Sequence, residues 1–404
     1  MIPETLMKII IRNVVILVCF ATLSACSTLP RHPAPLDKML SAKISGMSGV
    51  RAWSGTFSKD FESDLLLSIK QEKSHLAASS LVKLPASSVL TLSGGGDNGA
   101  FGAGFLQGWT KTGTRPTFKL VTGISTGALI APFAFIGPEY DPTLQEAFTT
   151  IDANNIYFPR WISFMWSDSF TDTAPLLRLI KRYITNDVLN KVALAHRQGR
   201  RLFIGTTNLD ADRLVVWNMG AIANSGHPKA LELFQQIILA SSSVPVAFPP
   251  VLIKVEVGGT SYDEMHVDGG VKAQLFFLAA TLDLTDFRKK LNLVEEPNRK
   301  MSIYIIRNAE IGPELKQVPR NLTKISERAL SSMIKSQALN DLNRVYGLAK
   351  TQGLDFNWVA LPEEYEPTES DEFDRKEMNR LFKKGYEQGL KKDVWKKVPP
   401  GVND

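Results

Sequence analysis

Apolar and polar positions follow two periods along this chain, and the switches between them mark its elements. Short apolar runs at Val89 to Leu92, Phe118 to Thr122, Arg201 to Thr206, Leu214 to Trp217, Val251 to Val255 and Ser302 to Ile306 read as strands. Helical spacing fills the gaps at Ala100 to Lys111, Thr126 to Ile136, Ala174 to Tyr183 and Ala230 to Ser241. A further helix is expected from Trp53 to about Lys83, with Phe61, Leu65, Leu66 and Ile69 on one face. Beyond the alternating region come a long helix over Leu322 to Lys350, a strand at Phe356 to Ala360 and a charged helix from Glu372 to Lys391. Strands and helices taken in turn predict an α/β fold whose central sheet is mostly parallel and covered on both faces.

The beginning of the chain obeys neither period. Lys8 and Arg12 precede an apolar stretch from Val14 to Phe20, followed by Leu23-Ser24-Ala25-Cys26. The stretch is too short for a comfortable membrane span and has the layout of an export signal. Its last four residues resemble the bacterial lipobox, in which the cysteine becomes the acylated first residue of the mature protein. Ser27 after Cys26, rather than Asp, favours outer-membrane delivery in that pattern. The expectation is therefore a lipoprotein of the bacterial cell envelope, with a signal peptide over 1–25 and a tether over 26–50 carrying Pro30, Pro33 and Pro35. A helical extension over 51–86, a main domain over 87–310 and a C-terminal helical region over 311–404 complete the division.

Composition narrows the classes. Hydrophobic residues make up 44% and charged ones 22% of 404 residues, which suits a globular chain and excludes a disordered one. A net charge of +6 without any run of Lys and Arg leaves no footprint for nucleic acid. Of the two cysteines, Cys19 falls in the signal and Cys26 would be blocked by lipid, so no disulfide is expected.

Candidate chemistry falls on three glycine-bearing corners. Gly123-Ile124-Ser125-Thr126-Gly127 sits directly between a predicted strand and an apolar helix, where a sharp turn pushes the serine Oγ out of the fold. Ser93-Gly94-Gly95-Gly96-Asp97-Asn98-Gly99 also joins a strand to a helix, and its glycines free backbone N–H groups to converge on a developing oxyanion. Asp268-Gly269-Gly270 places a carboxylate at a strand end with no side chain on the next two residues. Within reach of Ser125, Asp268 would accept its proton. The second corner also matches G-x-G-x-x-G. A dinucleotide site needs an acidic residue about 20 positions on, whereas none occurs between Asp97 and Glu139. No Gly-Lys-Ser/Thr follows for a P-loop, and no spacing matches a metal-ligand set. No cofactor is expected.

Taken in order, a Gly-rich loop, Gly-x-Ser-x-Gly and Asp-Gly-Gly resemble the patatin-like phospholipases. Ala240 to Pro250, a stretch of small residues and prolines, is similar to the segment those proteins carry before their aspartate. The resemblance covers about Leu90 to Gln274. It implies a three-layer α/β/α sandwich and a Ser–Asp dyad that cleaves lipid acyl esters through an acyl-enzyme. Ser125 would be the nucleophile, Asp268 the base, and Gly94, Gly95 and Gly96 the oxyanion donors. Such loops commonly carry Arg or Lys before their final glycine, where this chain has Asn98.

Two alternatives stay open at this point. A Ser–Asp–His triad would need Asp210 or Asp212 as its acid and His266 as its base, since no histidine follows Asp268. Under the dyad, replacing His266 by Ala is expected to be tolerated. A non-catalytic lipid-binding envelope protein is the reading from another class. The aromatic group of Phe158, Trp161, Phe164, Met165 and Trp166 reads as buried core or as a lid at a membrane surface.

Overall fold

The computed structural model describes residues 29–78, 84–159, 171–277, 289–290 and 299–402, apart from 314, 316 and 370. The expected signal peptide, Cys26, and Trp161, Phe164, Met165 and Trp166 lie outside them.

The strands are β1 (Arg51–Trp53), β2 (Ser87–Leu92), β3 (Leu120–Gly123), β4 (Phe158–Pro159), β5 (Thr171–Asp172), β6 (Arg201–Asn208), β7 (Arg213–Asn218), β8 (Val251–Val257), β9 (Thr260–Asp268), β10 (Met301–Arg307) and β11 (Asp355–Ala360). The helices are α1 (Lys59–Ala78), α2 (Gly99–Lys111), α3 (Thr126–Ile136), α4 (Asp141–Thr149), α5 (Ala153–Ile156), α6 (Ala174–Tyr183), α7 (Asn186–Arg197), α8 (Met219–Asn224), α9 (Ala230–Ser241), α10 (Leu322–Gln352) and α11 (Arg375–Gly389).

Nine strands form one sheet in the order β1-β7-β6-β3-β2-β10-β11, and β9 joins β6 to β8 beside that path. The five strands from β6 to β11 run parallel. Within this sheet the antiparallel pairs among the described residues are β1–β7, β6–β7, β6–β9 and β8–β9 at one side, and β4 and β5 form a separate antiparallel pair. Inner parallel strands carry side chains into both covering layers, so they are apolar nearly throughout. Along β2, Val89 packs into one core and Leu90 and Leu92 into the other; along β10, Ile303 and Ile305 face one way and Ile306 the other. α2, α3, α9 and α11 cover the Leu90 face, whereas Phe61 of α1 and Leu342, Val345 and Ala349 of α10 cover the Val89 face. The result is an α/β/α sandwich.

Registers fix where chemistry can sit. Leu92 pairs with Gly123 and with Ile306, so the C-terminal ends of β2, β3 and β10 lie side by side, while Gly123 pairs with Ile204 and β6 runs on past it to Asn208. Ligands of open α/β sheets bind along this edge. β9 arrives there from the opposite direction, with Asp268 paired to Thr206 near the end of β6.

Two expectations are corrected. Trp53 belongs to a strand rather than a helix: β1 pairs antiparallel with β7, and the chain turns through Gly55 (φ +78°) before α1 begins at Lys59. The expected tether is docked from Arg31 onwards. Ala34, Met39, Ala42, Ile44, Met47 and Val50 are buried, and Lys43 bridges to Glu256 of β8. Arg31 holds both oxygens of Asp210 at 2.7 Å and reaches Asp263 of β9 at 2.9 Å. Prolines and serines mask an apolar series that is too irregular to register as an element.

Candidate active site

Ser125 follows β3 at the crowded corner before α3. A Cβ on Gly127 would stand 2.4 Å from the Leu92 carbonyl oxygen, so only glycine lets the turn lie against the end of β2. Ser125 itself has φ +54° and ψ −126°, a conformation that L side chains rarely adopt. Its backbone is held on both sides. The N–H donates to Ser241 Oγ at 3.0 Å, and Ser241 in turn donates to the Gly205 carbonyl at 2.7 Å. The Ser125 carbonyl accepts from Ala128 N–H at 2.8 Å and from Ser242 Oγ at 3.3 Å.

Asp268 ends β9, with only 4% of its surface exposed. Its N–H donates to the Ser243 carbonyl at 2.8 Å and its Oδ1 accepts from Gly270 N–H at 2.6 Å. Oδ2 is buried without a hydrogen bond of ordinary geometry. Burial dominates the carboxyl's titration and pushes it up to about 7, against the opposing pull of the Ser125 hydroxyl and the Gly270 N–H. Ser125 and Asp268, 143 positions apart in the sequence numbering, thus face each other at one corner of the sheet.

The glycine loop closes the third side. A Cβ on Gly94 would lie 3.0 Å from Ser125 Cβ and 3.7 Å from its Oγ, which places this glycine directly against the hydroxyl. Gly95 backs onto the Asn308 carbonyl so closely that a Cβ would stand 1.8 Å from its oxygen. Gly96 is exposed with φ +58°. Among the described residues, none accepts a hydrogen bond from the N–H of Gly94, Gly95 or Gly96. Three adjacent donors beside a hydroxyl that faces a carboxylate are the parts an acyl-transfer site requires.

The structure does not bring His266 into this arrangement. Its ring is fully buried, with Nδ1 2.9 Å from Thr206 Oγ1 and Nε2 3.1 Å from Glu264 Oε2. Neither nitrogen is left for a serine. The acids that a triad would need are engaged elsewhere, Asp210 by Arg31 and the Met265 N–H, Asp212 by Lys272. Alternate residues of a strand point the same way, but β9 carries His266 under Trp217, one pair earlier than the site. Glu264 is the partner that orients the ring. Burial opposes its charge, yet Arg51 and His266 outweigh this and hold its carboxyl down to about 2.

Several supporting residues escaped the sequence reading. Arg307, at the end of β10, donates from Nη1 to the Gly94 carbonyl at 3.1 Å, to Ser93 Oγ at 3.2 Å and to Gln274 Oε1 at 3.2 Å. Gln274 Nε2 donates to the Gly270 carbonyl at 3.0 Å, and Asp341 of α10 accepts from the N–H groups of Gln274 and Leu275 at 2.7 and 3.2 Å. Asn308 donates from its amide and side chain to Ser93 at 2.9 and 2.8 Å. The only signal available in the sequence was that Arg307 and Asn308 directly follow the predicted strand Ser302 to Ile306; which neighbour that strand meets is not written locally. Of the aromatic group, Tyr157 beside it packs near Phe248 and Phe373.

Residues 90–281 match the model of the Patatin-like phospholipase family. No curated protein sequence matches the chain. Among solved structures, VipD from Legionella pneumophila aligns over 76% of this chain and 66% of its own, at 11% identity and a TM-score of 0.37. Human GIVD cytosolic phospholipase A2 aligns over 81% of this chain and 53% of its own, at 11% identity and a TM-score of 0.32. The chain thus spans just under two thirds of the first and about half of the second.

Proposed function

We propose, from the premise that residues 90–281 make up a patatin-like phospholipase domain, that this protein is a lipid acyl hydrolase working through Ser125 and Asp268. The observation that carries the reading is the state of Asp268. A carboxyl buried for its own sake would be paired or absent; this one faces a serine hydroxyl, keeps one oxygen without a hydrogen bond and titrates near neutrality.

The reaction follows from that placement. Ser125 Oγ attacks the ester carbonyl while Asp268 takes its proton, and negative charge collects on the former carbonyl oxygen. The N–H groups of Gly94, Gly95 and Gly96 receive it. Removing one such donor typically costs about 3–4 kcal/mol of barrier. Collapse expels the alcohol, which leaves with the proton from Asp268, and an acyl-Ser125 ester remains. Water then attacks the acyl carbonyl as Asp268 takes its proton, and collapse of that intermediate returns the proton to Ser125 Oγ, releasing the fatty acid and the free serine. Each step needs one group that is a base before attack and an acid after it, and a carboxyl titrating at about 7 can serve as both. The substrate class is a lipid or other acyl ester.

The second part of the proposal is delivery. Lys8, Arg12 and Leu23 to Cys26 support export and lipid attachment at Cys26, so that the enzyme would work at the bacterial envelope, with the outer membrane as its destination.

Reaction with a fluorophosphonate probe tests the hydrolase. Labelling of the wild type but not of Ser125→Ala supports it, and absence of labelling in both favours a lipid-binding protein without turnover. Cys26→Ser should release the protein from membranes; persistence there points to another anchor.

A further inference from the structure

Arg307 is a buried charge to which the dyad chemistry assigns no task. Its side chain is 2% exposed, and Asp341 is the charge that acts on it, from beyond ion-pair contact. Burial pulls the guanidinium down to about 10, which still leaves it protonated at neutral pH. A buried cation without a carboxylate in contact is costly, and its Nε has no hydrogen-bond partner either. Such an arrangement persists where charge is needed.

The geometry says where. All three contacts of Nη1 converge on the junction of the two loops: Ser93 and Gly94 on one side, Gln274 on the other. Through Gln274 the same hub reaches the Gly270 carbonyl, next to Asp268. The peptide between Gly94 and Gly95 is trans, so its C=O and N–H point in opposite directions. With the Gly94 carbonyl drawn in towards Arg307, the Gly95 N–H faces away from it, out of the buried layer. A cation bonded to the oxygen also polarises the whole peptide unit and strengthens the N–H as a donor. The loop supplies no cation of its own, because Asp97 is the only charged residue from Ser93 to Gly99.

We propose that Arg307 is the positioning residue of the oxyanion loop. It sets the plane of the Gly94–Gly95 peptide and supplies from behind the positive charge that this loop lacks. The inference rests on the hydrolase reading given above. Arg307 does not touch substrate. It acts through one peptide bond, and its influence grows as negative charge develops in the transition state.

The test compares wild type with Arg307→Met and Arg307→Lys by three readouts: the rate of fluorophosphonate labelling at Ser125, the affinity for a trifluoromethyl ketone lipid that adds to a serine as an oxyanion, and the affinity for a non-hydrolysable ether lipid. Arg307→Met should lose about tenfold or more in labelling rate and in ketone affinity, with ether-lipid binding unchanged. Arg307→Lys should recover much of both losses. If Arg307→Met does not fold, Arg307→Gln, which keeps a donor and removes the charge, carries the same expectation. A folded, uncharged variant labelled at the wild-type rate overturns the inference alone. So does one whose ketone and ether affinities fall together, without rescue by lysine. An unlabelled wild type instead overturns the hydrolase reading, and this inference with it.

Discussion

Ser241 Oγ accepts the N–H of Ser125 at 3.0 Å and donates to the Gly205 carbonyl at 2.7 Å, tying the β3 corner to β6 through one hydroxyl. Ser125 sits at φ +54°, which costs roughly 1–3 kcal/mol and persists only if neighbours over-determine it. Ser241→Ala removes the acceptor and leaves a buried N–H unpaired, at a cost of about 1–3 kcal/mol. The expected outcome is a folded protein with a lower melting temperature and at least a severalfold slower fluorophosphonate reaction. Unchanged reaction rates would mean that the corner is rigid without Ser241.

His266 separates the dyad from the triad, and the structure changes what its replacement should do. Tolerance was the expectation from sequence. In the fold, the ring fills a sealed site between Thr206, Trp217 and Glu264. His266→Ala opens a cavity and strips a hydrogen bond from a buried carboxylate, so stability should drop by about 3 kcal/mol or more. Arg51 still holds Glu264 through Nη2 at 2.9 Å, which keeps β9 in place. Chemical denaturation should therefore show a marked loss, while the folded fraction reacts with the probe within about threefold of wild type. A stable variant with no reaction would restore the triad.

How far the sequence alone reaches can be seen at these same residues. Ser125, Asp268 and Gly94 to Gly96 were legible because each stands where a strand ends on glycine, and strand ends are local features. Their meeting is not local. It depends on β2 lying beside β3 and on β9 folding back antiparallel so that Asp268 pairs with Thr206. No period encodes that order. Only the last three residues of β9 are buried in succession, so most of the strand has no continuous apolar run by which to register. Arg307, Gln274 and Ser241 are invisible for the same reason: their task is defined by a neighbour on another strand. Residues 31–50 were misjudged because a chain segment can dock by scattered apolar residues with no regular period at all.

The contact between α2 and α11 offers a sharp test of the fold. Cβ atoms on Gly104 and Gly385 would stand 2.0 Å from the carbonyl oxygens of Phe382 and Phe101, so the two helices touch backbone to backbone. α2 begins at Gly99, directly after the glycine loop proposed to hold the oxyanion. Gly385→Ala should force the helices apart, costing several kcal/mol by overpacking, on the order of 1–3 or more. Helix propensity favours Ala by up to about 1 kcal/mol, so the steric term decides the sign. Thermal unfolding of the variant should begin well below wild type. A melting temperature at or above wild type would show that this packing is loose.

Asp268 ties activity and stability to one proton. The proposed role as base requires the ionised form, so kcat/KM should rise with pH through about 7 and then level off. Stability must move the other way. The folded carboxyl titrates at about 7, whereas an unfolded one titrates near the ordinary value of 3.8. Between these values the folded state holds more protons than the unfolded state, so stability falls as pH rises through that window. Some three units correspond to about 4 kcal/mol at most, lost in full only above pH ~7. Asp268→Asn keeps an oxygen for the Gly270 N–H and carries no charge. It should abolish turnover, gain up to about 4 kcal/mol over wild type at pH 8 and gain nothing at pH 4. Urea unfolding at both pH values reads this directly. An equal gain at both would trace the effect to packing, and residual turnover in the variant would move the base to another residue.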